Sequence, residues 1–405
     1  MYKKIEKCRL CDHHNLKKIY SLGEQTLTGV FPKKKDEHIT SGPLDLVKCQ
    51  SCGLVQLEQT YDQNEMYGEN YGYRSGLNKS MINHLKENVQ MILNLNILED
   101  NDIIIDVGSN DGSTLKMFPH KYRPIGIDPT AKKFSQYYSD DIKLVTDFFT
   151  SVNALDATKG EKAKLITSFS MFYDLEEPLS FAKDISSVLH DQGIWVLEQS
   201  YLPSMLKTNS FDTICHEHLE YYCLTQIQWI ADNTDLRIID VDFNDTNGGS
   251  FIVTMAKDTC TMIPNNKKIQ KILSDEKRYN ANLNMYNDFK KNISKEKDEF
   301  LDFLKTAKEE NKLVVGLGAS TKGNVMLQHY NINNELISFI GDVNPDKHGS
   351  FTPKSLIPIV SEENVIEMNP DYYVIIPWHF KKHFISLEKF KDKRLVFPLP
   401  FFEIL

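Results

Sequence analysis

Residues 103–115 read IIIDVGSNDGSTL, an apolar run that ends at Asp106 and leads into a turn with two glycines. Glycine lets a backbone approach a ligand closely, and a helix that begins after such a turn offers free amide groups. We therefore expect the strand–turn–helix unit of a nucleotide-binding α/β sheet. The turn residues expected to contact the ligand are Gly108, Ser109, Asn110, Asp111 and Gly112.

Polar side chains in this turn restrict which nucleotide it can bind. A dinucleotide-binding turn has the pattern G-x-G-x-x-G, whose glycines and backbone amides face a diphosphate. Here the turn contains Asn110 and Asp111 instead, and an aspartate carboxylate would repel a diphosphate. The turn therefore favours a cofactor with a cationic sulfur and an ammonium group, and we predict S-adenosylmethionine.

Two later segments fit the same cofactor. Asp128, in IGIDPT, ends a second predicted strand 22 residues after Asp106. In nucleotide-binding sheets an acidic residue at this position accepts hydrogen bonds from the ribose hydroxyls. Asp147 and Phe148, in VTDFFT, follow a third short strand and are expected to border the adenine. The order and spacing of the three segments carry the prediction, because each segment alone is weak.

Short apolar runs alternate with helix-like stretches from about residue 80 to 257, which is typical of a doubly wound sheet. The α/β texture resumes after residue 312. Residues 265–311 contain no glycine or proline, and their apolar spacing predicts a connecting helix with one buried stripe. We predict an α/β fold of four parts: a zinc-binding domain (1–70), a methyltransferase-type Rossmann-like domain (71–260), a helical connector (261–311) and a C-terminal Rossmann-like substrate-binding domain (312–405).

Four cysteines near the N-terminus have the spacing of a zinc site. Cys8 and Cys11 form one C-x-x-C pair, and Cys49 and Cys52 form another. Two such turns supply four thiolates to one tetrahedral ion. A redox role for either pair is the alternative, but two pairs in one small segment favour zinc. The 37 residues between the pairs exceed what a minimal zinc ribbon needs, so we expect an inserted loop there.

Composition excludes several classes of protein. The chain has 405 residues and a formal net charge of −9, which argues against a nucleic-acid partner. No apolar run is long enough to span a membrane, and the first residues lack the apolar core of a signal peptide. Seven cysteines, an odd number, argue against a disulfide framework. We expect a cytoplasmic protein, by default a monomer.

The segment FDTICHEHLEYYC (211–223) concentrates groups suited to proton transfer. A histidine such as His216 or His218 can act as a general base near neutral pH, and a carboxylate such as Glu217 can orient it. The two histidines are two residues apart, unlike those of the H-E-x-x-H zinc motif. A metal site is therefore the weaker alternative, and packing of polar core residues is another.

Three more segments are candidates for the substrate site. Tyr71 and Tyr73, in ENYGYRSGLN, are expected in a loop over the site, with plain packing as the alternative. Asp174 follows the fourth strand, at the sheet edge where α/β folds bind ligands. Lys322, in VVGLGASTKGNVML, follows a strand at a glycine-rich turn whose amides are suited to a phosphate group.

Together these motifs resemble the sugar-nucleotide C-methyltransferases of deoxysugar biosynthesis, a family of three-domain bacterial enzymes. The likeness covers nearly the whole chain. It rests on the two C-x-x-C pairs and on DVGSNDG, FDTICHEHLEYY, NGGSF (247–251), GLGASTKGN (316–324) and PDYYVIIPW (370–378). The resemblance implies zinc and S-adenosylmethionine as cofactors and a nucleotide-linked keto-sugar as the substrate.

The resemblance also implies roles for single residues. His218 matches the base that removes a proton beside the ketone, with Glu217 as its neighbour. The enolate then takes the methyl group of the sulfonium. Tyr73, or less readily Tyr71, matches a tyrosine that contacts the sugar or its oxyanion.

Two positions depart from the family pattern. The family often has histidine where Asp174 stands and tyrosine where Cys215 stands. Both positions would face the substrate, so O- or N-methylation of a sugar or related metabolite is one alternative function. A non-enzymatic zinc-module protein that binds protein or nucleic acid is the other.

Overall fold

The computed structural model of the chain describes residues 2–67, 73–281 and 284–405. Its N-terminal part is built on an antiparallel hairpin, β2 paired with β3, to which β4 adds. The 37 residues between the cysteine pairs thus form this hairpin, where an inserted loop was predicted. A separate two-stranded ribbon joins β1 to β5. The elements are β1 (Lys3–Lys4), β2 (Leu16–Thr26), β3 (Ser41–Cys49), β4 (Val55–Leu57), β5 (Gln59–Thr60) and α1 (Gln63–Met66).

The middle part is a doubly wound sheet with the strand order β12-β13-β10-β9-β6-β7-β8. Strands β10, β9, β6, β7 and β8 are parallel, and β13 is antiparallel to both its neighbours. The elements are α2 (Lys79–Asn94), β6 (Ile103–Val107), β7 (Arg123–Ile127), α3 (Ala131–Phe134), β8 (Lys143–Val145), α4 (Ser151–Thr158), β9 (Ala163–Phe169), α5 (Pro178–Val188), β10 (Leu189–Ser200), α6 (Leu202–Lys207), β11 (Glu220–Tyr221), α7 (Leu224–Asp232), β12 (Leu236–Asn244) and β13 (Ser250–Lys257).

The winding reverses at β6, which is buried along its whole length. From β6 the chain first builds β7 and β8 on one side and then β9 and β10 on the other. Such a switch point leaves a crevice at the carboxyl ends of the strands, where ligands bind. The predicted cofactor turn, which follows Val107, lies at this point.

The helix expected after that turn is a single 3-10 turn, Leu115–Met117. Phe118 follows with ψ 145°, an extended conformation, and precedes Pro119. Because the proline ring disfavours helical backbone in the preceding residue, the helix cannot continue. Other 3-10 turns are Ser75–Leu77, Ser135–Tyr137, Phe172–Asp174, Phe211–Thr213, Thr246–Gly248, Pro345–Lys347, Trp378–Phe380 and Glu388–Phe390.

The described parts of the connector are helical, as α8 (Asn266–Ala281) and α9 (Asn284–Glu309). The predicted stripe on α9 is buried at Tyr286, Phe289, Ile293, Phe300 and Leu304. Within the described residues, no helix is long and apolar enough to cross a membrane.

The C-terminal part contains a second sheet, ordered β16-β15-β14-β17-β18-β19, in which β19 is antiparallel to β18 and the other pairs are parallel. Asp342 at the end of its second strand accepts from the amide of Ala319, in the turn after the first strand, at 2.7 Å. The elements are β14 (Val314–Leu317), α10 (Thr321–His329), β15 (Ile340–Asp342), β16 (Ile359–Ser361), α11 (Glu362–Glu367), β17 (Tyr372–Ile375), α12 (Lys381–Ser386), β18 (Leu395–Phe397) and β19 (Glu403–Ile404).

One strand of the middle part belongs to the N-terminal sheet. Strand β11 pairs antiparallel with β4, with Glu220 opposite Gln56 and Tyr221 opposite Val55. The amide of Leu57 also donates to the carbonyl of Leu219 at 2.9 Å. The segment HEHLEYY is therefore fastened to the cysteine module by main-chain hydrogen bonds.

Candidate functional site

The four N-terminal cysteines converge on one point. Cys8 Sγ lies 3.6 Å from Cys52 Sγ, and Cys11 Sγ lies 3.5 Å from Cys49 Sγ. All four sulfurs lie within 4.8 Å of one another. Tetrahedral zinc with bonds of about 2.3 Å needs sulfurs about 3.8 Å apart, so the donor set fits Zn²⁺. Cys215, Cys223 and Cys260 are buried elsewhere in the fold.

Asp128 organises the predicted cofactor turn. One of its carboxylate oxygens, Oδ2, accepts from the amide of Asn110 at 2.8 Å. The other, Oδ1, accepts from the amide and the hydroxyl of Thr130, each at 2.6 Å. The turn bends with φ of +75° at Gly108 and +72° at Gly112, which favours glycine at both places. Asp128, which follows β7, thus holds in place the turn that follows β6.

A second loop contacts the cofactor turn from outside. The amide of Ser75 donates to Asn110 Oδ1 at 2.9 Å, and the amide of Gly76 donates to Asp111 Oδ2 at 3.0 Å. Asn110 Nδ2 also donates to the carbonyl of Tyr73 at 3.4 Å. The Tyr73 side chain remains 45% exposed. Tyr71 lies outside the described residues.

Asp147 and Phe148 lie two and three residues beyond β8, at the same edge of the sheet as Asp128. The amide of Asp128 donates to the carbonyl of Val145, the last residue of β8, at 3.0 Å. Both predicted adenine neighbours are exposed, Phe148 by 45%. Their contact with the cofactor stays a prediction.

Asp106 lies beneath the cofactor turn and is buried. It accepts a hydrogen bond of 2.6 Å from Thr167 Oγ1 on the neighbouring strand β9. Burial raises the pKa of the Asp106 carboxyl from 3.8 to about 7, and the Asp128 carboxylate contributes in the same direction. Desolvation disfavours the charged form of a buried acid.

This raised pKa predicts a pH-dependent stability. Between about pH 4 and pH 7 the folded chain binds more protons at Asp106 than the unfolded chain, so stability falls as pH rises through this window. Asp106→Asn should remove this pH dependence, because an amide does not ionise. Between pH 5 and pH 8 the original chain should lose on the order of a few kcal/mol of unfolding free energy that the variant keeps. Urea denaturation at both pH values measures this, with the exposed Asp140→Asn as control. An equal effect of Asp106→Asn at both pH values would contradict the prediction.

A short segment connects the cofactor turn to the histidine segment. Gly108 lies so close to Met171 that an added Cβ would be 2.9 Å from Met171 Cγ. Two residues further on, the Tyr173 ring lies with its centroid 4.2 Å from that of His218. The predicted donor site and the predicted base are therefore both in contact with the stretch Met171–Tyr173.

His218 is held in one tautomer. Its Nδ1 lies 2.9 Å from the carbonyl oxygen of Thr213, which can only accept. Nδ1 therefore carries the proton, and Nε2 keeps its lone pair. Burial and the charge of Lys322 lower the pKa of His218 to about 3. The imidazole is consequently neutral at physiological pH, as a general base must be before it reacts.

His216 has a structural place instead. It is buried, its Nε2 donates to the carbonyl of Gln25 at 3.3 Å, and its Nδ1 lies 3.4 Å from Thr28 Oγ1. Both partners belong to the cysteine module. His216 therefore docks the module onto the middle part of the chain, which matches the packing alternative for this residue.

Glu217 and Asp174 are neighbouring carboxyls with free acceptor capacity. Glu217 is 8% exposed, and burial raises the pKa of its carboxyl. Asp174 accepts from the hydroxyl of Tyr67 at 3.0 Å, and burial together with the Glu217 charge raises the pKa of Asp174 well above its usual value. Glu217 Oε2 and Asp174 Oδ1 have no hydrogen-bond partner among the described residues. Buried polar atoms of this kind are suited to hydroxyl donors of a ligand.

Residues from distant parts of the chain complete the site. A Cβ on Gly29, in the loop between β2 and β3, would lie 2.5 Å from Glu217 Oε1. Asn324 on α10 donates to the carbonyl of Thr28 at 2.8 Å, which ties the C-terminal part to the same loop. The motif DVGSNDG identified Gly108 and Gly112, whose φ angles are +75° and +72°, from the sequence alone. Thr28 and Gly29 belong to no sequence motif, and only the folded structure shows that they lie at this site.

Models of known protein families match three successive parts of the chain. Family models match residues 8–67 as a zinc binding domain, residues 77–241 as a "Methyltransferase domain" and residues 245–400 as a "C-methyltransferase C-terminal domain". The C-methyltransferase NovU of Streptomyces niveus is 28% identical over 404 residues, which cover 98% of this chain and 96% of NovU.

Two solved methyltransferase structures each match less than half of the chain. The N-methyltransferase NodS from Bradyrhizobium japonicum WM9, in complex with S-adenosyl-L-homocysteine, is 12% identical with a TM-score of 0.31. It covers 42% of this chain and 86% of its own. An O-methyltransferase family protein from Burkholderia thailandensis is 11% identical with a TM-score of 0.34, over 44% of this chain and 57% of its own.

The matched domains define the class: the chain is an S-adenosylmethionine-dependent methyltransferase. This confirms the predicted α/β fold class and both predicted cofactors, S-adenosylmethionine and zinc, and it excludes the non-enzymatic alternative. More particularly, the chain is similar to the C-methyltransferase NovU along nearly its whole length, and models of a zinc-binding domain, a methyltransferase domain and a C-methyltransferase C-terminal domain match it in that order.

Proposed function

We propose that the enzyme methylates a ring carbon next to the ketone of a sugar that is linked to a nucleoside diphosphate. The observation that carries this proposal is the hydrogen bond from His218 Nδ1 to the Thr213 carbonyl at 2.9 Å, because it leaves Nε2 unprotonated. A carbon can accept a methyl group only after it gains electron density. Removal of the proton beside a carbonyl provides that density.

His218 Nε2 is the proposed proton acceptor. The C–H electron pair passes into the carbonyl as an enolate, and the proton stays on the imidazole. Glu217 stabilises the imidazolium that forms, and Tyr73 contacts the sugar or its oxyanion. Asp174, with one unpartnered carboxylate oxygen, is the proposed hydrogen-bond partner of a sugar hydroxyl.

When bound, S-adenosylmethionine supplies an electrophilic methyl group on a sulfonium. We assign its binding to the turn after β6 and to the strand ends beside it. Held there, the sulfonium would offer its methyl group to the enolate carbon, and S-adenosylhomocysteine would be the leaving group. Orientation of the two partners supplies much of the acceleration. The proposed binding residues are Gly108, Ser109, Asn110, Asp111, Gly112, Asp128, Asp147 and Phe148.

A labelled methyl group tests this proposal. The zinc-loaded enzyme is incubated with S-adenosylmethionine that carries ¹³C in its methyl group and with a panel of nucleoside-diphosphate sugars, with and without a ketone. We expect transfer to keto-sugars alone, and product NMR should place the ¹³C methyl on a carbon adjacent to the ketone. A methyl group on oxygen or nitrogen, or equal transfer to sugars without a ketone, would reject the enolate route.

A further inference from the structure

The C-terminal domain makes a buried hydrogen bond to the turn that precedes the histidine segment. Trp378 Nε1 donates to Asp212 Oδ2 at 2.8 Å. Both side chains are largely buried, Trp378 with 7% and Asp212 with 2% of its surface exposed. The tryptophan follows β17 in the C-terminal sheet, and Asp212 is the central residue of the 3-10 turn Phe211–Thr213. The bond therefore joins two domains.

The same 3-10 turn orients His218. Asp212 is bonded directly to Thr213, whose carbonyl accepts from His218 Nδ1 at 2.9 Å and from the hydroxyl of Tyr221 at 3.4 Å. The turn is buried, its backbone closes with a bond from the Thr213 amide to the carbonyl of Ser210 at 3.1 Å, and the Phe211 ring packs on Tyr330 with a centroid distance of 5.4 Å. A side-chain bond to Asp212 thus limits where the Thr213 carbonyl can point.

The position of the indole is itself fixed. Gly248 has φ +89°, and a Cβ built there would lie 3.1 Å from Trp378 Cη2. The NGGSF turn therefore packs closely on the ring. Burial raises the pKa of Asp212, and the charge of Lys322 on α10 acts in the opposite direction. Lys322 Nζ lies 3.5 Å from the carbonyl of Asn247, so α10 also contacts the NGGSF turn.

From these contacts we infer that Trp378 and Asp212 are positioning residues, through which the docked C-terminal domain holds the Thr213 carbonyl and thereby the reactive tautomer of His218. The inference rests on the proposed function for its catalytic consequence, since His218 acts as the base there. The tautomer itself is a physical property that can be measured without any substrate.

The test compares side-chain variants of the full-length, zinc-loaded enzyme with selective ¹⁵N-histidine labelling. Trp378→Phe keeps a ring but removes the N–H donor. We expect the ¹⁵N shifts of His218 to change from those of a single Nδ1–H tautomer to those of a mixture. The His218 signals are assigned from their loss in His218→Ala. We also expect kcat to fall ten- to a hundredfold, the approximate cost of a small misplacement of a reacting group, with little change in the KM for S-adenosylmethionine.

Further variants separate positioning from general loss of structure. Asp212→Ala breaks the same bond from the other side and should give the same His218 spectrum, whereas Asp212→Asn keeps an acceptor oxygen and should retain the original one. Trp195→Phe is the matched control, because Trp195 Nε1 donates to Ser168 Oγ at 3.1 Å inside the methyltransferase sheet. It should leave the tautomer unchanged.

The outcomes distinguish the two proposals. An unchanged His218 tautomer in both Trp378→Phe and Asp212→Ala would overturn the positioning role, whatever the activity. A changed tautomer in an enzyme that never methylates keto-sugars would support the positioning role and reject the proposed function. A change of the same size in Trp195→Phe would also overturn the inference, because it would show that any buried indole is needed.

Discussion

His218→Ala should lower the rate of methyl transfer by about two orders of magnitude or more while the affinity for S-adenosylmethionine stays nearly constant. Loss of a general base typically costs about 10²- to 10⁴-fold in rate. Cofactor affinity should persist because the contacts around the predicted turn, such as Asn110 with Asp128 and Gly76 with Asp111, do not involve His218. Calorimetry with the cofactor and single-turnover kinetics with labelled methyl donor measure the two effects.

The matched control for this variant is His190→Ala. His190 is an exposed histidine at the beginning of β10, outside the site. His190→Ala should leave both the affinity for S-adenosylmethionine and the rate of methyl transfer unchanged. If His218→Ala transferred methyl groups at the original rate, another group would have to be the proton acceptor. A parallel loss of cofactor affinity would point to structural damage and not to loss of a base.

Cys49→Ser should yield an enzyme that binds little zinc and folds poorly. Closed zinc sites contribute directly to folding, because the unfolded chain has no preformed site. Cys49 is fully buried at the end of β3, where its amide donates to the carbonyl of Leu54 at 2.9 Å. Zinc content of the purified protein and thermal unfolding followed by circular dichroism measure the expected loss.

Damage to the cysteine module should also disturb the proposed active site. Strand β4 follows the second cysteine pair and pairs with β11, so we expect loss of zinc to loosen the segment that contains His218. Cys260→Ser is the control, because Cys260 is a buried cysteine outside the module. A well-folded, zinc-free Cys49→Ser enzyme with full activity would contradict this account.

Local patterns in the sequence predict most of the fold. Apolar runs of two to four residues coincide with the strands β6, β7, β9, β10 and β13, because a strand buried on both faces favours consecutive apolar side chains. The C-x-x-C spacing predicts the cysteine cluster for a similarly local reason, since each pair lies within one turn. The helix expected after Gly112 was wrong because Pro119 outweighs the glycine-turn pattern.

Contacts between residues far apart in the sequence are not predicted by any local sequence pattern. The pairing of Gln56 with Glu220 joins positions 164 residues apart, and the bond between Asp212 and Trp378 joins positions 166 residues apart. Neither partner belongs to a periodic pattern that would reveal the other. The roles of Gly29 and Thr28 at the site were missed for the same reason, since the loop between β2 and β3 reads as an ordinary connection. The proposed site thus depends on contacts that only the folded chain reveals.

A crystal structure of the zinc-loaded enzyme with S-adenosylhomocysteine and a nucleoside-diphosphate keto-sugar tests the central claim most directly. We expect the sulfur of the cofactor to lie over the turn Gly108–Gly112 and the carbon beside the ketone to lie between that sulfur and His218 Nε2. Placement of the cofactor and the sugar on opposite sides of the segment Met171–Asp174, with no common cleft, would contradict the account.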